Sequence, residues 1–158
     1  VEPPPGEAIF TPHPGEMSRL LQCSVAEVQA DRFNTVRSAV DRFGKSVLLK
    51  GPHSIIGGIA QPLSVNATGN SGMATAGMGD VLSGLIGTLL AQDLPTYCAG
   101  AVGAYWHGMS GDLAADEIAP VGFLATDVAA RLPRARAKLT QSCEDRSRVR
   151  SSPLSCQA

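Results

Sequence analysis

Apolar residues along this chain recur in two rhythms, and the two alternate. From Val81 onward Leu82, Leu85, Ile86, Leu89 and Leu90 return at helical spacing, and Ala101, Val102, Tyr105, Trp106, Met109 and Leu113 repeat the pattern in a second stripe. An earlier stripe of Val25, Val28, Phe33, Val36, Val40 and Phe43 predicts helix with a break inside it. Ser24 and Glu27 form a capping-box pair at its start, and Gly44 is a suitable stop. Between the helical stretches lie short runs without polar alternation. Ser46-Val47-Leu48-Leu49 predicts a strand buried on both faces, and Ala8-Ile9-Phe10 a shorter one stopped by Pro12 and Pro14. Met17–Leu21 predicts a short helix, and Ile55–Ile59, with its glycine pair, a hairpin turn. Thr126 is a candidate cap for a last helix that carries Asp127 early and Arg134, Arg136 and Lys138 late. Strand, loop and helix in alternation predict an α/β sheet covered on both faces, without internal repeats.

Composition narrows this only modestly. With 158 residues, 44% hydrophobic and 17% charged, the chain is long enough for one domain with a sizeable core. A formal net charge of -1 gives no electrostatic reason to expect a nucleic-acid partner. No apolar run approaches the roughly 20 residues that span a bilayer, so no membrane partner is expected. Cys23, Cys98, Cys143 and Cys156 are widely spaced and form no CxxC pair, which favours a reducing cytoplasm over a disulfide framework or zinc site. The stretch from residue 140 to 158, dense in Ser and Arg, is expected to be a disordered tail following a domain over residues 1–139.

The chemistry concentrates between Asn66 and Gln92. Gly69, Gly72, Gly77 and Gly79 remove side chains just before the helix that begins near Val81. Amides at a helix mouth are unpaired and the dipole there favours anions, so a glycine-rich loop feeding a helix is a candidate phosphate cradle. Asp80 stands at that mouth and becomes a candidate base, the alternative being a simple N-cap. Lys50-Gly51 leaves a buried strand and is a candidate nucleotide loop, the alternative being a surface lysine. Glu16 suits the first turn of its helix better than a role on a metal or water. Trp106 is expected in the core.

Three motifs in register, TPHPGE, LLKGPHSII and NATGNSGMATAGMGDVLSG, resemble the NAD(P)H-hydrate dehydratase family. With YWHGMSGDLAA and GFLATDVAARLP the resemblance extends from Ile9 to about Leu139. GxGD alone is shared with many ribokinase-like kinases. The resemblance implies a ribokinase-like three-layer α/β/α fold, here lacking the N-terminal strands that the family carries before TPHPGE.

The same resemblance implies roles for individual residues. Asp80 matches the catalytic and substrate-contacting position, and His13 a substrate-contacting histidine. Lys50, Gly51, Pro52, His53 and Ser54 match one nucleotide-binding segment, and Gly77, Met78 and Gly79 belong to another. The implied reaction is ADP-dependent dehydration of hydrated NADH or NADPH by phosphorylation and elimination. Mg²⁺ would accompany ADP or ATP, with no metal-binding residue identified. A homotetramer and an epimerase domain or partner are further implications. Two other readings stay open: a ribokinase-like kinase of a small hydroxylated heterocycle, and a non-catalytic adenine-nucleotide-binding fragment.

Overall fold

The computed structural model describes residues 3–151. Four short strands form one sheet in the order β1 (Ile9–Phe10), β2 (Ser46–Leu49), β3 (Ile55–Gly57) and β4 (Ser64–Val65). β1 runs parallel to β2, while the β2–β3 and β3–β4 pairs are antiparallel. Strand alternation then divides the core in two. Val47, Leu49 and Ile55 face Met17 of α1 (Pro14–Leu21), Val28 of α2 (Val25–Ala30), and Val36, Val40 and Phe43 of α3 (Arg32–Phe43). Leu48 and Ile56 point the other way, onto Leu82, Ile86 and Leu89 of α4 (Met78–Leu90) and Ala99 and Ala104 of α5 (Thr96–Glu117). Both faces of β2 are therefore covered, as its unbroken apolar run requires. Each such Leu or Ile contributes about 1.5–3 kcal/mol on burial. The three-layer α/β/α arrangement expected from the sequence is present.

The predicted break in the first stripe falls at Asp31. That residue ends α2 with φ −144° and caps α3, its Oδ1 accepting the Asn34 amide at 2.9 Å. The Ser24–Glu27 capping box and the left-handed Gly44 stop both form as expected.

Three expectations are corrected. Ile55–Gly57 is a strand rather than a turn, and the chain reverses instead at residues 50–54, where Gly51 and His53 adopt positive φ. Gly57 serves close packing: a Cβ there would sit 2.7 Å from Val36 Cγ1. Thr126 does not cap helix α6 (Ala125–Ser151); the Asp127 carboxylate takes that part, accepting the Leu124 amide at 2.7 Å. Helix α6 also continues past Thr140 to Ser151, so that portion of the expected disordered tail is helical. Residues 152–158 of that tail lie outside the described residues.

A third apolar cluster of Met78, Ala114, Phe123 and Val128 packs α6 near the start of α4. Trp106 is half-buried, its Nε1 donating to the Leu132 carbonyl at 2.7 Å, so it joins α5 to α6.

Candidate functional site

The loops at one end of β1 and β2 reach the mouth of α4 because each is tied down locally. After β1, His13 caps α1: Nδ1 accepts the Gly15 and Glu16 amides at 3.0 and 3.2 Å. Glu16 closes the box by accepting the His13 amide on Oε2 at 2.7 Å. That same oxygen lies 3.5 Å from Lys50 Nζ, at the end of β2. Burial tends to raise the Glu16 pKa, but the His13 amide and the charges of Lys50 and His13 together hold it below the usual carboxylate value. Lys50 reaches on to α4, where a Cβ added to Gly79 would stand 3.2 Å from Nζ. Gly79 thus leaves room for an ammonium against the first turn of the helix, where unpaired amides already favour an anion.

A second loop arrives from the other side. Asn66 donates to the Ala104 carbonyl at 3.3 Å, and Thr68 Oγ1 to that of Tyr105 at 2.8 Å. Asp112 accepts the Gly69 amide and Asn70 Nδ2, each at 3.0 Å. The contact is possible because α5 has no side chain at Gly108, where a Cβ would overlap Thr68 Oγ1 at 2.2 Å.

These elements enclose a cleft of about 590 Å³. That volume suits a small-molecule ligand. His13, Lys50, Gly51, Pro52, His53, Ser54, Met78 and Gly79 all line it, so eight sequence-predicted site residues converge. Gly77 and Asp80 do not line it. Gly77 is the left-handed residue before α4, with φ 84°, and Asp80 is an exposed first-turn residue next to Gly79. Asp80 makes no N-cap hydrogen bond; α4 starts without a side-chain cap. Among the described residues, no cluster of three or more His, Cys, Asp or Glu could hold a metal ion.

Sequence reasoning missed the α5 wall. Ala104, His107 and Gly108 line the cleft, as do Asn66, Thr68 and Asn70. His107 is buried, and desolvation lowers its pKa from 6.5 to about 4. A polar residue in the buried stripe of a long helix was the available signal. Arg32 was also missed: at the start of α3 it donates from Nη1 to the Pro52 carbonyl, holding the 50–54 turn from behind.

Comparison with known proteins gives a consistent picture. The family model described as NAD(P)H-hydrate dehydratase matches residues 2–134. A bifunctional NAD(P)H-hydrate repair enzyme of Escherichia coli K12 is 44% identical over 126 residues, 80% of this chain and 24% of the relative. An ADP-dependent (S)-NAD(P)H-hydrate dehydratase of Neisseria meningitidis is 43% identical over 135 residues, covering 85% of this chain and 46% of the relative. A crystal structure of an ADP/ATP-dependent NAD(P)H-hydrate dehydratase from Bacillus subtilis, co-crystallized with ATP and Mg²⁺ and soaked with CoA, superposes with TM-score 0.82 at 30% identity. It covers 87% of this chain and 52% of that one. A ribokinase-like superfamily protein of Enterococcus faecalis superposes with TM-score 0.69 at 30% identity, over 82% of this chain and 44% of that one. The chain thus spans between a quarter and about half the length of these proteins.

Proposed function

The chain belongs to the NAD(P)H-hydrate dehydratase family, and we propose that it takes part in ADP-dependent dehydration of hydrated NADH or NADPH, a repair of damaged nicotinamide cofactors. The observation that carries this reading is the meeting of Lys50, Gly79 and His13 in one cleft, with an ammonium set at a helix mouth. That arrangement suits a phosphoryl group beside a second ligand.

In the proposed reaction, the hydroxyl oxygen at C6 of the hydrated ring attacks the terminal phosphorus of ADP. The P–O bond to AMP breaks, and Asp80 accepts the hydroxyl proton as general base. Lys50 and the amides at the start of α4 stabilise charge on the transferring group. The ring nitrogen's lone pair then expels phosphate, and loss of a proton from the adjacent carbon restores the dihydronicotinamide. His13 would contact the substrate, while Lys50 to Ser54 with Gly77, Met78 and Gly79 would hold the nucleotide. Mg²⁺ would arrive on the nucleotide phosphates and offset their charge.

We place the reaction in the cytoplasm, which the free thiols of Cys23 and Cys98 suit. Residues 1–139 would form the C-terminal portion of the dehydratase domain, working with further domain residues, an epimerase domain or partner, and a homotetramer. The test is incubation with hydrated NADH and ADP while following dihydronicotinamide absorbance. Regeneration that is lost in Asp80→Asn supports the reading; full activity in that variant removes Asp80 as base. ADP binding with no regeneration under any condition would assign a non-catalytic nucleotide-binding role instead.

A further inference from the structure

The turn that joins β2 to β3 is held in a shape that its own residues do not favour. Gly51 and His53, on either side of Pro52, have positive φ of 139° and 50°. A histidine in the left-handed region is unfavourable unless its surroundings fix it there. Among the described residues, a single hydrogen bond reaches residues 51–53 from outside the loop: Arg32 Nη1, on α3, donates to the Pro52 carbonyl. Gly51 makes the approach possible, since a Cβ there would stand 3.1 Å from Arg32 Nη2. The guanidinium gains little else. Its Nε and Nη2 are buried and have no partner among the described residues, which costs stability in the free protein.

That bond also orients the peptide between Pro52 and His53. The described residues contain no cis peptide, and in a trans peptide the carbonyl and the following N–H point in opposite directions. The Pro52 carbonyl is turned toward Arg32, which does not line the cleft, so the His53 N–H is turned away from Arg32. Pro52 and His53 themselves are exposed and line the cleft. The His53 amide has no hydrogen-bond partner among the described residues, so its donor is open to a ligand.

We propose that Arg32 is a positioning residue: by holding the Pro52 carbonyl behind the loop, it presents the His53 N–H to an acceptor atom of a nucleotide in the cleft. The proposal rests on the nucleotide reading of residues 50–54. Arg32 itself touches no ligand and acts through the peptide alone.

The test uses the full chain and its Arg32→Met and Arg32→Lys variants. ADP binding is measured by calorimetry, and melting and amide exchange are followed without ligand. Arg32→Met is expected to bind ADP about tenfold more weakly than wild type, the effect of losing one well-placed hydrogen bond. The same ratio should persist in about 0.5 M NaCl, where a distant charge acting on phosphate would be screened. Arg32→Lys keeps a donor for the Pro52 carbonyl and is expected to recover most of the affinity. Ligand-free Arg32→Met should melt no lower than wild type, because it removes buried N–H groups that have no partner. Amide exchange should quicken at Gly51, His53 and Ser54, while the Lys50 amide, bonded to the Pro12 carbonyl at 2.8 Å, keeps its protection.

Wild-type ADP affinity in Arg32→Met would overturn the proposal. So would a loss that disappears at high salt, which would make Arg32 a long-range charge. A loss accompanied by lower melting and faster exchange throughout β2 and α3 would overturn it as well, since the role would then be stability alone. If the wild type binds no ADP, the nucleotide reading falls and takes this proposal with it. Unchanged loop exchange in Arg32→Met, with ADP still bound by the wild type, overturns the proposal by itself.

Discussion

Glu16 Oε2 and Lys50 Nζ stand 3.5 Å apart, joining the first turn of α1 to the end of β2. Because the same oxygen accepts the His13 amide, one carboxylate fixes both loops. Its pKa is held below 4.5 despite opposing burial, so the stabilisation it gives is present above that value and is lost as pH falls through the folded-state pKa. Glu16→Ala is expected to cost about 0.5–1 kcal/mol through the lost capping box. Denaturant unfolding at neutral pH measures it, and the acid limb of the stability profile should flatten.

Lys50→Met removes the amino group from the cleft. ADP affinity is expected to fall about 10- to 100-fold, the range for losing a hydrogen bond from a charged donor. Adenosine, which has no phosphate, should bind both proteins alike. Equal loss for the two ligands would show that Lys50 shapes the loop and does not hold phosphate.

His107 makes stability depend on pH in a definite direction. In the unfolded chain it takes up a proton below 6.5, whereas in the folded protein it resists until about 4. The unfolded state therefore binds more protons in that window, and stability falls as pH is lowered through it. At about 1.4 kcal/mol per pH unit, the loss attributable to His107 is of order 3 kcal/mol. His107→Leu should lack that part of the decline, which urea titrations at pH 7, 5.5 and 4 would reveal.

Asp112 is the anchor of the loop that approaches α5. Replacing it with Ala strands the Gly69 amide and the Asn70 side chain, each now bonded to it at 3.0 Å. The expected cost is about 1–3 kcal/mol. Amide exchange at Gly69 should accelerate, while the helices of the opposite face, α1 to α3, keep wild-type protection.

Much of this architecture is legible in local residue order. Caps at Ser24 and Gly44, the doubly buried β2, and the convergence of TPHPGE, KGPHS and AGMGD all depend on near neighbours or on motifs read as units. What escaped depends on contacts distant in sequence. Gly57 signals a turn locally, yet it pairs with Val47 in the sheet, and Val36 and Val40 of α3 leave no room there for a side chain. The α5 wall was hidden because Gly108 and His107 acquire meaning only when the loop at Thr68, some forty residues earlier, lies on them. Asp80 shows the converse. The motif marks it, but its exposed position beside the cleft is settled by which face of α4 turns inward.

Trp106 and His107 are consecutive on α5, one bonded to the Leu132 carbonyl on α6 and the other lining the cleft. The chain has a single tryptophan. Its fluorescence is therefore an intrinsic reporter placed one residue from the ligand side, with the Arg136 guanidinium 6.0 Å from its ring as a local field source. Undocking of α6 would release the indole N–H to water and shift its emission to the red. Attachment of the last helix can thus be followed optically, without adding a label.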